Sequence, residues 1–218
     1  SAAVLNGLST HVAGLKHFVF DATVQVQSAY AGKAIEENMH YHFSFQRPNL
    51  LNMTMKLSDE KLTVVADGQN TLFCLDSLKM CKVQQQPENL STLIGWLTQP
   101  AFRRLLSPRL SEGWMDHVTH SQYEETTLDG IPCHHLELTF ERTDLNLWFK
   151  KGEVPVPLRL VADQSTAFHA PKGTFVTRID WENWNETQAP AAEIFEILPP
   201  ENFQKVNSFD ICFQGNEG

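Results

Sequence analysis

Period-two alternation of apolar and polar residues, repeated in segment after segment, constrains this 218-residue chain more than any other feature. Phe18, Phe20, Ala22, Val24 and Val26 alternate with Val19, Asp21, Thr23, Gln25 and Gln27, the pattern of a strand with one dry and one wet face. Tyr41, Phe43 and Phe45 repeat it against His40, His42, Ser44 and Gln46, and Leu51, Met53, Met55 and Leu57 repeat it against Asn52, Thr54 and Lys56. Leu62, Val64 and Ala66 follow, closed by Asp67-Gly68, and strands are predicted through 71–75 and 80–84. The alternation returns near Trp114. It persists through Leu136-Leu138-Phe140, 145–149, 156–162 and Phe175-Thr177-Ile179-Trp181, with turn signals at Asp129-Gly130, Lys151-Gly152 and Lys172-Gly173.

Helical spacing occupies two places. Over residues 2–16, Val4, Leu8, Val12 and Leu15 are spaced four, four and three apart, one face of a helix. Beyond Pro87, Leu90, Leu93, Ile94, Trp96 and Leu97 are followed by Phe102, Leu105 and Leu106, with Pro100 separating the two stretches. A closing segment runs from Phe195 to Phe213 and carries Pro199-Pro200. The order is therefore helix, about six strands, a helical interlude, and five or six strands. Without βαβ alternation a doubly wound sheet is excluded. The prediction is one α+β domain spanning residues 1–218, built on about eleven antiparallel strands. A twisted sheet of that size curls, and three short amphipathic helices are available to cover its concave face.

Charge narrows the function classes. Lys plus Arg number 17 against 26 Asp plus Glu, a net charge of −9. Such a surface repels phosphate and argues against nucleic acid and anionic membranes as partners. No stretch approaches the roughly 20 apolar residues of a membrane helix. Nine histidines invite a search for catalysis or metal. Yet Cys133, His134 and His135 are consecutive and point to alternate faces of a strand, and His117 and His120 differ by an odd number, so no one metal ion is specified. Neither a nucleophile elbow, a P-loop nor a dinucleotide fingerprint is present. The adjacent pairs Glu36-Glu37 and Glu124-Glu125 splay apart rather than pair for acid–base work. The expectation is a protein that is not an enzyme, with no cofactor and no metal.

Of the four cysteines, Cys74 and Cys81 flank a turn near Asp76-Ser77. If Leu75 faces Met80, Cys74 faces Cys81 at about 4.5–5.5 Å, within disulfide reach. A bridge there would place the protein outside the cytosol; two separate buried thiols are the alternative. The chain starts Ser1-Ala2-Ala3 with neither a basic n-region nor an apolar h-region, the start expected of a trimmed mature domain.

On the dry parity of their strands lie Phe20, Val24, Phe43, Phe45, Met53, Met55, Leu136, Leu138 and Trp181, and Leu93, Trp96 and Leu97 belong to the helical interlude. Aromatics dominate ordinary cores. Collectively, a broad curved face of Phe, Met and Leu is also an apolar ligand cavity with adaptable methionine walls. These residues are the candidate ligand-binding set, with the interlude and residues Val4, Leu8 and Val12 as a lid.

The run AIEENMHYHFSFQRPNLLNMTM, residues 34–55, followed by Asp67-Gly68, resembles the early strands of the LolA-like carriers, including Phe43, Phe45, Arg47, Pro48 and Gly68. LDGIPCHHL at 128–136, LWFKKG at 147–152, PVPLRL at 155–160, and Phe195 with Leu198-Pro199-Pro200 are similar to one branch, the predicted periplasmic proteins of unknown function. The resemblance implies an unclosed antiparallel β-barrel with short helices in its mouth, secreted to the periplasm. It implies acyl chains of lipids or lipoproteins as ligands, a membrane-associated protein as a further partner, and a role for Arg47 in holding the helical lid. A surface salt bridge is the plainer reading of Arg47. Cys133 opens a family-like strand and Cys212 lies on the closing segment, so pairing them would tie that segment to the sheet. Two functions remain: a periplasmic binding protein sheltering a lipid or acylated lipoprotein, and an envelope interaction or scaffold protein whose core is self-filled.

Overall fold

The computed structural model describes residues 2–30, 33–88, 93–94, 117–166 and 173–207. Helix α1 (Ala2–Gly14) leads into strands β1 (His17–Tyr30), β2 (Lys33–Gln46), β3 (Leu50–Leu57), β4 (Glu60–Asp67), β5 (Asn70–Leu75) and β6 (Met80–Gln85). After the interlude come β7 (His120–Leu128), β8 (Ile131–Thr139), β9 (Asp144–Lys150), β10 (Pro157–Asp163) and β11 (Thr174–Asn185), then a 3-10 turn at Ala192–Phe195 and β12 (Gln204–Lys205). The twelve strands among the described residues form one open sheet in the order β12-β6-β5-β4-β3-β2-β1-β11-β10-β9-β8-β7. Each half of the chain is a meander of antiparallel neighbours, and the halves join where β1 pairs with β11. Among the described strands only β12 runs parallel to its neighbour, pairing Gln204 with Met80 and Lys205 with Cys81.

The alternation sorts the residues by face. One cross-strand row runs Leu136, Leu147, Leu160, Ile179, Val24, Met39 and Leu57 over β8, β9, β10, β11, β1, β2 and β3. Parallel rows carry Phe20, Phe43, Met53, Val64 and Phe73, and Phe18, Phe45, Leu51 and Ala66. All of these but half-buried Leu57 are buried, in one cluster that also takes Leu5, Leu8 and Val12 from α1 and helical residues Leu93 and Ile94. Fully burying a side chain of this size contributes about 1.5–3 kcal/mol, so the rows hold the sheet and α1 together. No helix among the described residues is long and apolar enough to cross a membrane.

Several sequence expectations change. The sheet of about eleven strands is present with twelve among the described residues, the last a two-residue parallel addition. Strand β2 starts at Lys33, well before Tyr41, because Lys33–Asn38 is exposed on both faces and carries no alternation; beyond Met39 this arm pairs with β1 and not with β3. In α1 the helix ends at Gly14, and Leu5, which spacing alone passed over, is fully buried, whereas Val4 and Leu15 only pack at the cluster's edge. Of the helices expected over the sheet, the described residues include α1 and residues 93–94, which pack into the apolar cluster; Leu90, Trp96, Leu97, Phe102, Leu105, Leu106 and Trp114 lie outside the described residues.

The expected Cys74–Cys81 disulfide is not present. The register does place Cys74 opposite Cys81, but both are free, buried thiols. They belong to a small cluster on the opposite sheet face, with Val65 and Leu72, under Ile197 and Phe203 of the closing segment. Disulfide formation needs a thiolate, and burial with Cys81 alongside pushes the Cys74 thiol up to about 12. Cys133 is likewise a free buried thiol whose pKa burial raises; Cys212 lies outside the described residues.

Candidate functional site

Phe20, Val24, Phe43, Phe45, Met53, Met55, Leu136, Leu138 and Trp181 all lie on the core face of the sheet, and Leu93 joins them from the interlude. Pairing explains the convergence. Phe20 faces Phe43 with rings 4.9 Å apart, and Phe18 faces Phe45 with rings 5.0 Å apart, both stacked. Trp184 stacks on Phe18 and Phe20, each at 5.4 Å. Tyr41 sits among them, its hydroxyl donating to Met39 Sδ at 3.6 Å, and burial raises its pKa well above the usual phenol range. The surface is aromatic over β1 and β2 and, apart from Phe149 on β9, aliphatic over β8–β10, a wall suited to hydrocarbon.

Arg47 follows the last residue of β2 and lies at the C-terminal end of α1. Its Nε donates to the Leu15 carbonyl at 2.7 Å, its Nη2 to the Val12 carbonyl at 3.2 Å, and its backbone N–H to the Lys16 carbonyl at 2.8 Å. The guanidinium lies 5.4 Å from the Phe45 ring centroid, a cation–π contact. Burial lowers its pKa, but an arginine stays charged under any physiological condition. The contacts are therefore a clamp on the last carbonyls of a helix, where positive charge is favourable, and not the surface salt bridge that the plainer reading supposed.

Over β1, β2, β3 and β11 the opposite face is polar. His42 Nδ1 lies 2.7 Å from Asp21 Oδ1, Asn183 Nδ2 donates to Asp21 Oδ2 at 2.7 Å, and Thr23 Oγ1 is 3.2 Å from His40 Nδ1. Burial pushes the Asp21 carboxyl up, yet the bonds from Asn183 and His42 outweigh it and hold the pKa below the usual range. Asp21, Thr23, His40 and His42, with Thr54, Lys56 and Glu182, rim an open pocket of about 270 Å³. Among the described residues no group of three or more His, Cys, Asp or Glu is placed to hold a metal ion. Glu124 and Glu125 do splay apart: Glu124 binds His135 at 3.0 Å, and Glu125 binds Lys151.

Sequence reasoning missed Trp184 and Glu186. The signal was available as two tryptophans, 181 and 184, three apart in a strand where one face repeats every two. That spacing needs a bulge, and one is present at Asn183.

A family profile described as "Predicted periplasmic protein (DUF2092)" matches residues 1–208. Among solved structures, MucB aligns with a TM-score of 0.50 at 14% identity, covering 93% of this chain and 64% of MucB. A Pseudomonas aeruginosa MucA/MucB complex aligns with a TM-score of 0.47 at 13% identity, covering 94% and 62%. A LolA superfamily protein from Nitrosomonas europaea aligns with a TM-score of 0.37 at 12% identity, covering 89% and 96%. This chain thus spans under two thirds of the MucB chains it matches. Among curated proteins none matches the sequence.

Proposed function

This chain belongs to the DUF2092 family of periplasmic proteins, and from that footing we propose that it is a non-catalytic binding protein that shelters an acyl chain of a lipid or lipoprotein. The observation that carries the reading is the unbroken apolar face from Leu136 to Leu57, with α1 laid over it and clamped at one end by Arg47. Each methylene moved from water onto such a face contributes about 0.8 kcal/mol, so a long acyl chain binds tightly without any reactive group. On this reading α1 is a lid, and Phe20, Phe43, Phe45, Met53 and Met55 are the wall beneath it.

A second reading rests on a specific observation. Phe20, Phe43, Leu51, Met53 and Met55 are already buried to within 1% by the protein's own side chains. A core so filled supports a scaffold or partner-binding role in the envelope, with no guest.

Native mass spectrometry of protein freshly isolated from the periplasm, combined with titration of 11-(dansylamino)undecanoic acid, separates the two. A lipid-mass adduct, or saturable blue-shifted dansyl fluorescence, supports the carrier. Unliganded protein that ignores the probe supports the scaffold.

A further inference from the structure

Strand β11 runs regularly from Thr174 to Trp181, with Ile179 and Trp181 on the core face. Continued regularly, it would turn Glu182, Trp184 and Glu186 to the other face. Instead the register against β1 slips between Val19 and Asp21, and Asn183 takes a φ of 53°. One extra residue in a strand reverses the facing of everything after it. Trp184 is thereby returned to the core face, where it stacks on Phe18 and Phe20. Glu186, two residues on, follows it to the flank of α1.

There Glu186 Oε2 accepts two hydrogen bonds, one from Trp184 Nε1 at 2.9 Å and one from His11 Nε2 at 2.9 Å. The His11 and Glu186 side chains are only 22% and 16% exposed, so little water competes for the carboxylate. His11 lies on α1 beside buried Val12, and the two bonded residues are 175 positions apart in the chain. Nothing on the helix alone or the strand alone requires this contact.

We propose that Glu186 is a latch that holds α1 over the apolar core, and that the bulge at Asn183 exists to aim it. This rests on the reading of α1 as a lid. The latch holds the same last turn of α1 that Arg47 clamps, His11 preceding Val12, and links the helix to the Trp184 ring through one oxygen atom. Lifting α1 breaks the His11 bond and leaves the Glu186 carboxylate bonded to Trp184 of the aromatic stack, so the helix and that stack respond to the same carboxylate. Glu186 is a positioning residue: it touches the lid, not a guest.

Hydrogen–deuterium exchange of the α1 amides tests this in the full chain. His11→Ala is expected to speed α1 exchange by about tenfold, as loss of a charge-assisted hydrogen bond implies, with β3–β5 unchanged. His11→Gln, which keeps an N–H donor, is expected to restore most of the protection. Unchanged α1 exchange in His11→Ala overturns the latch, and so does equal acceleration across α1 and the sheet, which marks a contact serving global stability. Release of bound 11-(dansylamino)undecanoic acid is read in parallel. Faster α1 exchange in a protein that never takes up the probe keeps the latch and removes the carrier reading. Probe uptake by the parent with α1 unmoved by His11→Ala keeps the carrier and removes the latch.

Discussion

Cys74 and Cys81 face each other across β5 and β6 as buried free thiols, 2% and 0% exposed, beneath Ile197 and Phe203. Their burial has a pH consequence with a definite sign. The folded protein raises the Cys74 pKa from 9.0 to about 12, so unfolding releases protons once the medium passes the unfolded value. Stability contributed by the protonated thiol is intact below about pH 9 and is lost as pH rises from about 9 to about 12. Urea melts at pH 8, 10 and 11 are expected to show a steep alkaline decline in the parent and a shallower one in Cys74→Ala. Iodoacetamide at neutral pH should leave both thiols unlabelled until the protein is unfolded. An equal decline in both proteins would assign the alkaline loss to other groups, Tyr41 first, since its pKa is also raised.

Arg47 is expected to matter through geometry as well as charge. Arg47→Lys keeps the charge but replaces a planar fork with a single ammonium, which cannot reproduce the Leu15 and Val12 contacts and the Phe45 stack together. Arg47→Met removes a charged donor from two helix-terminal carbonyls. Such bonds contribute about 1.5–3 kcal/mol, so Arg47→Met should lose about that much in a denaturant titration, and Arg47→Lys most of it. A silent Arg47→Met would return Arg47 to an incidental surface role.

Strand parity separates wall from exterior. Met55 and Thr54 are neighbours on β3 with opposite facing, one buried and one half-buried. Met55→Ala should lower stability by about 2–5 kcal/mol, whereas Thr54→Ala should stay within about 0.5 kcal/mol. Met55→Gln, if folded, should weaken uptake of 11-(dansylamino)undecanoic acid, with Thr54→Ala as its unaffected partner. Equal effects at the two positions would contradict the register.

The turn joining β3 to β4 carries a correctable strain. Ser58 adopts a φ of 52°, a left-handed conformation that disfavours any side chain with a Cβ. Ser58→Gly is expected to raise stability by about 0.5–1 kcal/mol, read as a higher melting temperature. A drop would mean that the Ser58 side chain contributes more than its backbone costs.

The sheet was legible in the residues because its two faces see different solvents. Alternation at Phe18–Val26, Phe43–Phe45 and Leu51–Met55 states which side chains are dry, and the structure puts them together on one face. The exposed arm Lys33–Asn38 was not legible, since a stretch wet on both faces carries no period. The turn at Asp129-Gly130 was legible for a local reason: both residues take positive φ.

Local pattern alone therefore determined that the chain builds an antiparallel sheet with one apolar face, because side-chain facing in a strand follows from its own two-residue repeat. It could not determine which strands meet, since every alternating strand is an acceptable neighbour for every other; the pairing of β1 with β11 is settled only by the whole sheet. The facing cysteines were readable from their register, but their remaining thiols depends on the closing segment that buries them. Glu186 is the sharpest case. Its position in sequence assigns it to the solvent face, and one bulged residue at Asn183 carries it to His11, because facing is counted along the chain while contacts are made across it.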